Sequence, residues 1–130
     1  LMVCQELEYR GFHPLVQLWG LLHDASEAYI CDIPKPFKPE LKEYKNIEKN
    51  VQKLIYYKFT LSVPDQHSYY PIELIDEEAL YYEGKRFLKF NDWVPREPQI
   101  HVKPIEKSSE EVEKIFLEHY FKLRNQLKLP

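Results

Sequence analysis

Glycine is scarce, with three residues in a chain of 130. Loops that cradle phosphates with backbone N–H groups need several glycines close together, so a glycine-rich phosphate loop is excluded. A nucleophile elbow of the G-x-S-x-G kind is missing as well. There are two cysteines, Cys4 and Cys31, and no C-x-x-C spacing. The expected state is two reduced and mostly buried thiols in a cytosolic protein, a disulfide between them being the alternative. No apolar run approaches the ~18 residues that a membrane span requires. A basic surplus is lacking too: the formal net charge is −3, with lysines and arginines interspersed among acids. That gives no general attraction to a nucleic-acid polymer, so an anionic ester has to be met by a local site.

What is present is 44% hydrophobic and 30% charged residues with ten prolines. This suits one globular domain over residues 1–130, built as an all-α bundle of about five or more helices with Pro-bearing turns. The opening "LMVCQELEYRGF" has Leu1, Cys4 and Leu7 at helical spacing and Gly11 as a helix end. It has neither an N-cap before Leu1 nor an initiator Met, which points to sequence upstream. In "HPLVQLWGLLHDASEAYI" the stripe Leu15, Leu18, Trp19, Leu22, Ala25 and Tyr29 predicts one helix from Pro14 to near Asp32. Pro34 would end it.

"DIPKPFKP" reads as a stiff extended loop. Residues 40–59 carry Leu41, Tyr44, Ile47, Val51, Leu54, Ile55 and Phe59 on one helical face. "TLSVPDQHSYYP" reads as a loop. A helix over 72–88 follows, with Ile72, Ile75, Ala79, Tyr82 and Arg86 aligned. After the irregular "NDWVPREPQIHVKP", Ser108 and Glu111 stand in capping-box spacing. The helix they open sets Val112, Ile115, Phe116, Tyr120, Leu123 and Leu127 on one side. Packing over its own core is the default for this last helix, and a homodimer interface the alternative.

The chemistry concentrates in "LLHDASEAYICDIP". On a continuous helix Glu27 lies four residues after His23 and three after Asp24, so the imidazole and both carboxylates share a face. Such a set suits Mn, Fe, Zn, Co or, with more carboxylates, Mg; an ordinary solvated face is the bland alternative. Asp32 lies on the same stretch. Asp76, inside the stripe of a separate helix, is the best third ligand, while Glu77 and Glu78 read as surface charge. His13, His67, His101 and His119 read as structural or surface residues.

The segment "LLHDASEAYICDIPKPFK" resembles the HD superfamily of metal-dependent phosphohydrolases, in particular the small single-domain branch that includes bacterial 5′-deoxynucleotidases. The resemblance runs from Leu1 to about Leu88 and is strongest over 21–38; the C-terminal third carries no family motif. It implies an all-α fold and a divalent metal (Mn, Co, Mg, Zn or Fe) held by His23, Asp24 and Asp76. It further implies that Glu27 assists the attacking water and that Asp32 lies near the sugar and leaving group. Lys35 and Lys38 would meet the phosphate. The family's first His should precede the pair by a helix and a turn. The chain has no His before His13, which sits in the turn itself, so that ligand lies upstream of Leu1 or is lost.

The function expected is hydrolysis of a nucleotide phosphate monoester, with no nucleic-acid polymer and no membrane as partner. The alternatives are cyclic nucleotides, nucleoside triphosphates or alarmones as substrates, or a non-catalytic helical module that binds a nucleotide or a partner protein.

Overall fold

In a computed structural model describing residues 1–34, 37, 40–87 and 96–130, the chain is all-α, with no strand among those residues. It divides into two compact units: Leu1–Leu21 with Pro64–Pro130, and Leu22–Val63.

The first unit opens with α1 (Met2–Tyr9). Its end is a Schellman turn: Phe12 N–H donates to Leu7 O and Gly11 N–H to Glu8 O, each at 3.0 Å. Gly11 takes φ +74°, a left-handed conformation that costs glycine little. Pro14 then begins α2 (Pro14–Leu21), where its missing N–H has no intrahelical partner to forfeit. The two helices cross at Gly20, where a Cβ would stand 2.4 Å from the Leu7 side chain. Val3, Cys4, Leu7, Leu18, Trp19 and Leu21 are buried here, as are Ile72, Ile75, Ala79 and Leu123 from the later helices. Burial pushes the Cys4 thiol up to about 12, so it stays protonated and inert. Both cysteines are free, and Cys31 is exposed.

Helix α4 (Gln66–Phe87) starts six residues before the expected 72. The reason is Asp65: its Oδ1 accepts the Ser68 N–H at 2.7 Å, and its carbonyl accepts the Tyr69 N–H at 2.9 Å. Capping by Asp65 stabilises the first turn, and Pro71 lies inside the helix that follows. Helix α5 (Ser109–Gln126) has the expected reciprocal capping box. Glu111 N–H donates to Ser108 Oγ at 3.3 Å, and Ser108 N–H to Glu111 Oε2 at 3.1 Å. Leu123 is buried, and Val112, Ile115, Phe116, Tyr120 and Leu127 are half-buried, the face the spacing marks. No helix among the described residues is long and apolar enough to cross a membrane.

Two buried carboxylates hold the connection that precedes α5. Glu78, 2% exposed, accepts the Gln99 N–H at 2.6 Å and pairs with Arg96. It is therefore an internal anchor and not surface charge. Glu6, fully buried on α1, receives Arg10 Nε and His101 Nδ1, each at 2.7 Å. The backbone N–H groups of His101 and Val102 add bonds at 2.8 and 3.1 Å. Tyr9 stacks on the His101 ring with centroids 4.6 Å apart.

The second unit contains a 3₁₀ turn (Ala25–Ala28) and α3 (Lys42–Thr60), which pack together. The expected apolar stripe of α3 is only partly used. Ile55 and Tyr56 are buried, whereas Leu41, Ile47, Leu54 and Phe59 are exposed. One four-residue turn packed on a 19-residue helix covers a narrow strip of it.

Glu6 makes a prediction for pH. Burial works to raise its pKa, but the bonds from the His101 ring and backbone, Arg10 and Val102 outweigh burial and hold it at about 2. A carboxyl depressed in the folded state stabilises above its unfolded pKa, and that contribution is lost as pH falls toward the folded value. A depression from 4.5 to about 2 corresponds to roughly 3 kcal/mol. Glu6→Gln should therefore lower stability by about 2–3 kcal/mol at pH 7 and change little near pH 2, as read from urea midpoints at both pH values.

Candidate functional site

The His-Asp pair does not sit on a helix. α2 ends at Leu21, His23 and Asp24 form a turn, and Ala25–Ala28 follows as 3₁₀. In a continuous α-helix the Ser26 N–H would donate to the Leu22 carbonyl. The Gln52 carboxamide stands between them instead: its Oε1 accepts the Ser26 N–H at 3.0 Å, and its Nε2 donates to Leu22 O at 2.7 Å. The Leu22 carbonyl also accepts the Ala25 N–H at 3.0 Å. Asp24 and Ser26 favour the break, because short polar side chains are weak helix formers. The expected single helix from Pro14 to near Asp32 is thus interrupted by an inserted side chain.

The turn changes which residues align. His23 Nε2 lies 3.0 Å from Asp24 Oδ2; the imidazole is 11% exposed and the carboxylate 60%. Glu27 is the third residue of the 3₁₀ turn, exposed, and its N–H donates to Asp24 O at 3.0 Å. Residues three apart eclipse in 3₁₀ geometry, so the Asp24–Glu27 alignment survives. His23 precedes the 3₁₀ turn, so the α-helical spacing from which its alignment with Glu27 was expected does not apply.

Asp32 is exposed in the irregular stretch that follows. There the Tyr44 hydroxyl donates to the Cys31 carbonyl. Lys35 and Lys38 lie outside the described residues. Asp76 stands half-buried on α4 in the first unit, one residue after buried Ile75.

The other histidines have structural roles or are simply exposed. His13 is exposed and its Nδ1 accepts the Leu15 N–H at 3.2 Å, the His119 ring contacts the Ile115 carbonyl at 2.9 Å, and His101 is held by Glu6. His67 is exposed on the first turn of α4. Sequence reasoning missed Gln52, which nothing in α3 singles out, since Asn46 and Asn50 are uncharged amides among the same lysines and glutamates.

Comparison with known proteins adds little. No family model matches the chain, and no solved structure does. YfdR of Escherichia coli (strain K12), itself uncharacterized, is 45% identical over 42 residues, covering 32% of this chain. The match spans 24% of the length of YfdR and does not assign a family.

Gln52→Leu should orphan the Ser26 N–H, which belongs to a buried residue. The expected cost is about 1–3 kcal/mol, with faster hydrogen exchange at that amide. Gln52→Glu keeps the acceptor but loses the donor, so it should protect the Ser26 amide while still lowering the urea midpoint.

Proposed function

We propose that this protein is a metal-dependent phosphohydrolase of the HD type that cleaves a phosphate monoester of a nucleotide. The observation that carries the reading is the His23–Asp24 pair, an imidazole and a carboxylate 3.0 Å apart on a turn pinned by Gln52. The resemblance adds Asp76 as a ligand, which would make the donor set one imidazole nitrogen and two carboxylates. A mixed nitrogen and oxygen set fits Mn, Fe, Zn or Co, and Mg less well. His23, mostly shielded, offers an oriented ring, while Asp24 remains open to solvent and so accessible to a cation.

When bound, the ion would supply polarisation of a phosphoryl oxygen and a lowered pKa for water near it. The chain's own residues do the rest. Glu27, on the same side of the turn as Asp24, orients the attacking water and takes its proton, help of a kind worth ~10²–10⁴-fold. Asp32, in the irregular stretch beyond the turn, meets the sugar hydroxyl or, when protonated, the leaving oxygen. Lys35 and Lys38 offer cations to the phosphate. The resemblance also calls for a His ahead of the pair, and His13, engaged with the Leu15 N–H, is a poor candidate for it.

The test is phosphate release from a panel of nucleoside monophosphates with added Mn, Co or Mg. Glu27→Ala should lower turnover by ~10²–10⁴-fold while keeping fold and bound metal. His23→Ala, Asp24→Asn and Asp76→Asn should each weaken metal binding by at least about tenfold, measured by equilibrium dialysis. Release from cyclic nucleotides or triphosphates alone would move the substrate class. No release from any of these by metal-loaded protein would reject the enzyme, leaving a binding module.

A further inference from the structure

The second unit presents an apolar stripe of α3 to solvent. Ile47, Leu54, Tyr57 and, just past the helix end, Leu61 are 53%, 70%, 65% and 54% exposed. Positions 47, 54 and 61 repeat every seven residues, and 50 and 57 fall between them, the spacing of a helix–helix seam. At 100° per residue, Glu43 and Lys58 lie on the same side. Buried Ile55, Tyr56 and Thr60 face the opposite half of the helix. An apolar stripe this exposed on a helix marks an interaction surface.

The distribution of charge says what covers it. About a point between Asn50 and Val51 the middle of the stripe is self-complementary on reversal: position 43 exchanges with 58, and 47 with 54. Running antiparallel, Glu43 of one copy meets Lys58 of the other, and Ile47 meets Leu54. Running parallel, each Lys58 would face Lys58 and each Glu43 would face Glu43, so like charges would oppose. A patch that matches itself under a two-fold axis is the signature of an isologous contact.

We infer that this face of α3 docks on the same face of a second copy of the chain, antiparallel, with the two-fold axis beside Asn50. The helix is ~28 Å long, so the contact falls at the small end of specific interfaces. The dimer is accordingly weak, roughly micromolar, and depends on concentration.

Sedimentation velocity of the whole chain over a concentration series should show a monomer–dimer equilibrium. Leu54→Glu should raise its dissociation constant at least about tenfold. Leu54 is mostly exposed, and far-ultraviolet circular dichroism checks that the helix persists. Glu43→Lys and Lys58→Glu should each weaken the dimer, and the double exchange should restore it.

In a Cys31→Ser background, Asn50→Cys should crosslink on mild oxidation, since disulfides need Cα atoms within about 7 Å. Glu43→Cys should not, because its counterpart would lie ~22 Å along the pair. Crosslinking through position 43 and not 50 would overturn the antiparallel arrangement. A chain that stays monomeric to roughly 0.1 mM, or a dimer indifferent to Leu54→Glu and to the charge exchange, would overturn the proposal outright.

Discussion

The second unit depends on one side-chain amide in the place of one backbone hydrogen bond. A carboxamide has a donor and an acceptor side by side, so Gln52 can accept from Ser26 and donate to Leu22, the two groups an α-helix would have joined directly. Both backbone groups stay satisfied while the chain opens by the width of a side chain. The helix stops, the next residues tighten into 3₁₀, and His23 and Asp24 meet at 3.0 Å on the turn between. Glutamate could serve only the acceptor half of this arrangement, and leucine neither half.

The first unit solves a related problem in a different way. The connection ahead of α5 has no regular hydrogen-bond ladder over residues 97–102, and its partly shielded N–H groups need acceptors from elsewhere. Glu78 and Glu6 supply those acceptors from α4 and α1. A buried carboxylate is expensive unless its oxygens are filled, and the four donors around Glu6 fill them. Its strongly depressed pKa reflects that balance: hydrogen bonding exceeds desolvation.

Legibility followed the range of the interaction. The Schellman turn at Gly11 and the capping box at Ser108 are formed by residues within a few positions of one another, and the spacing alone identifies both. The Asp65 cap is equally local, and "PDQHS" carries it; Pro71 obscured it by suggesting a loop. The break after Leu21 was not legible, because its cause lies 26 and 30 residues further along the chain. Glu78 looked like surface charge because a helical wheel cannot announce that Arg96 and the Gln99 amide will return to meet it.

The amino-acid sequence by itself determined an all-α chain, the end of α1 at Gly11, the capping box of α5 and its apolar face, and it marked His23, Asp24, Glu27, Asp32 and Asp76 as candidates. These follow from periodicity, composition and short-range hydrogen bonding. Tertiary structure alone decided that the His-Asp pair stands on a turn and not on a helix face. It alone decided that Glu6 and Glu78 are internal acceptors, and that Ile47 and Leu54 of α3 are exposed. Each of these turns on a partner far away in sequence, or on a surface that folding leaves exposed, and no local pattern contains either.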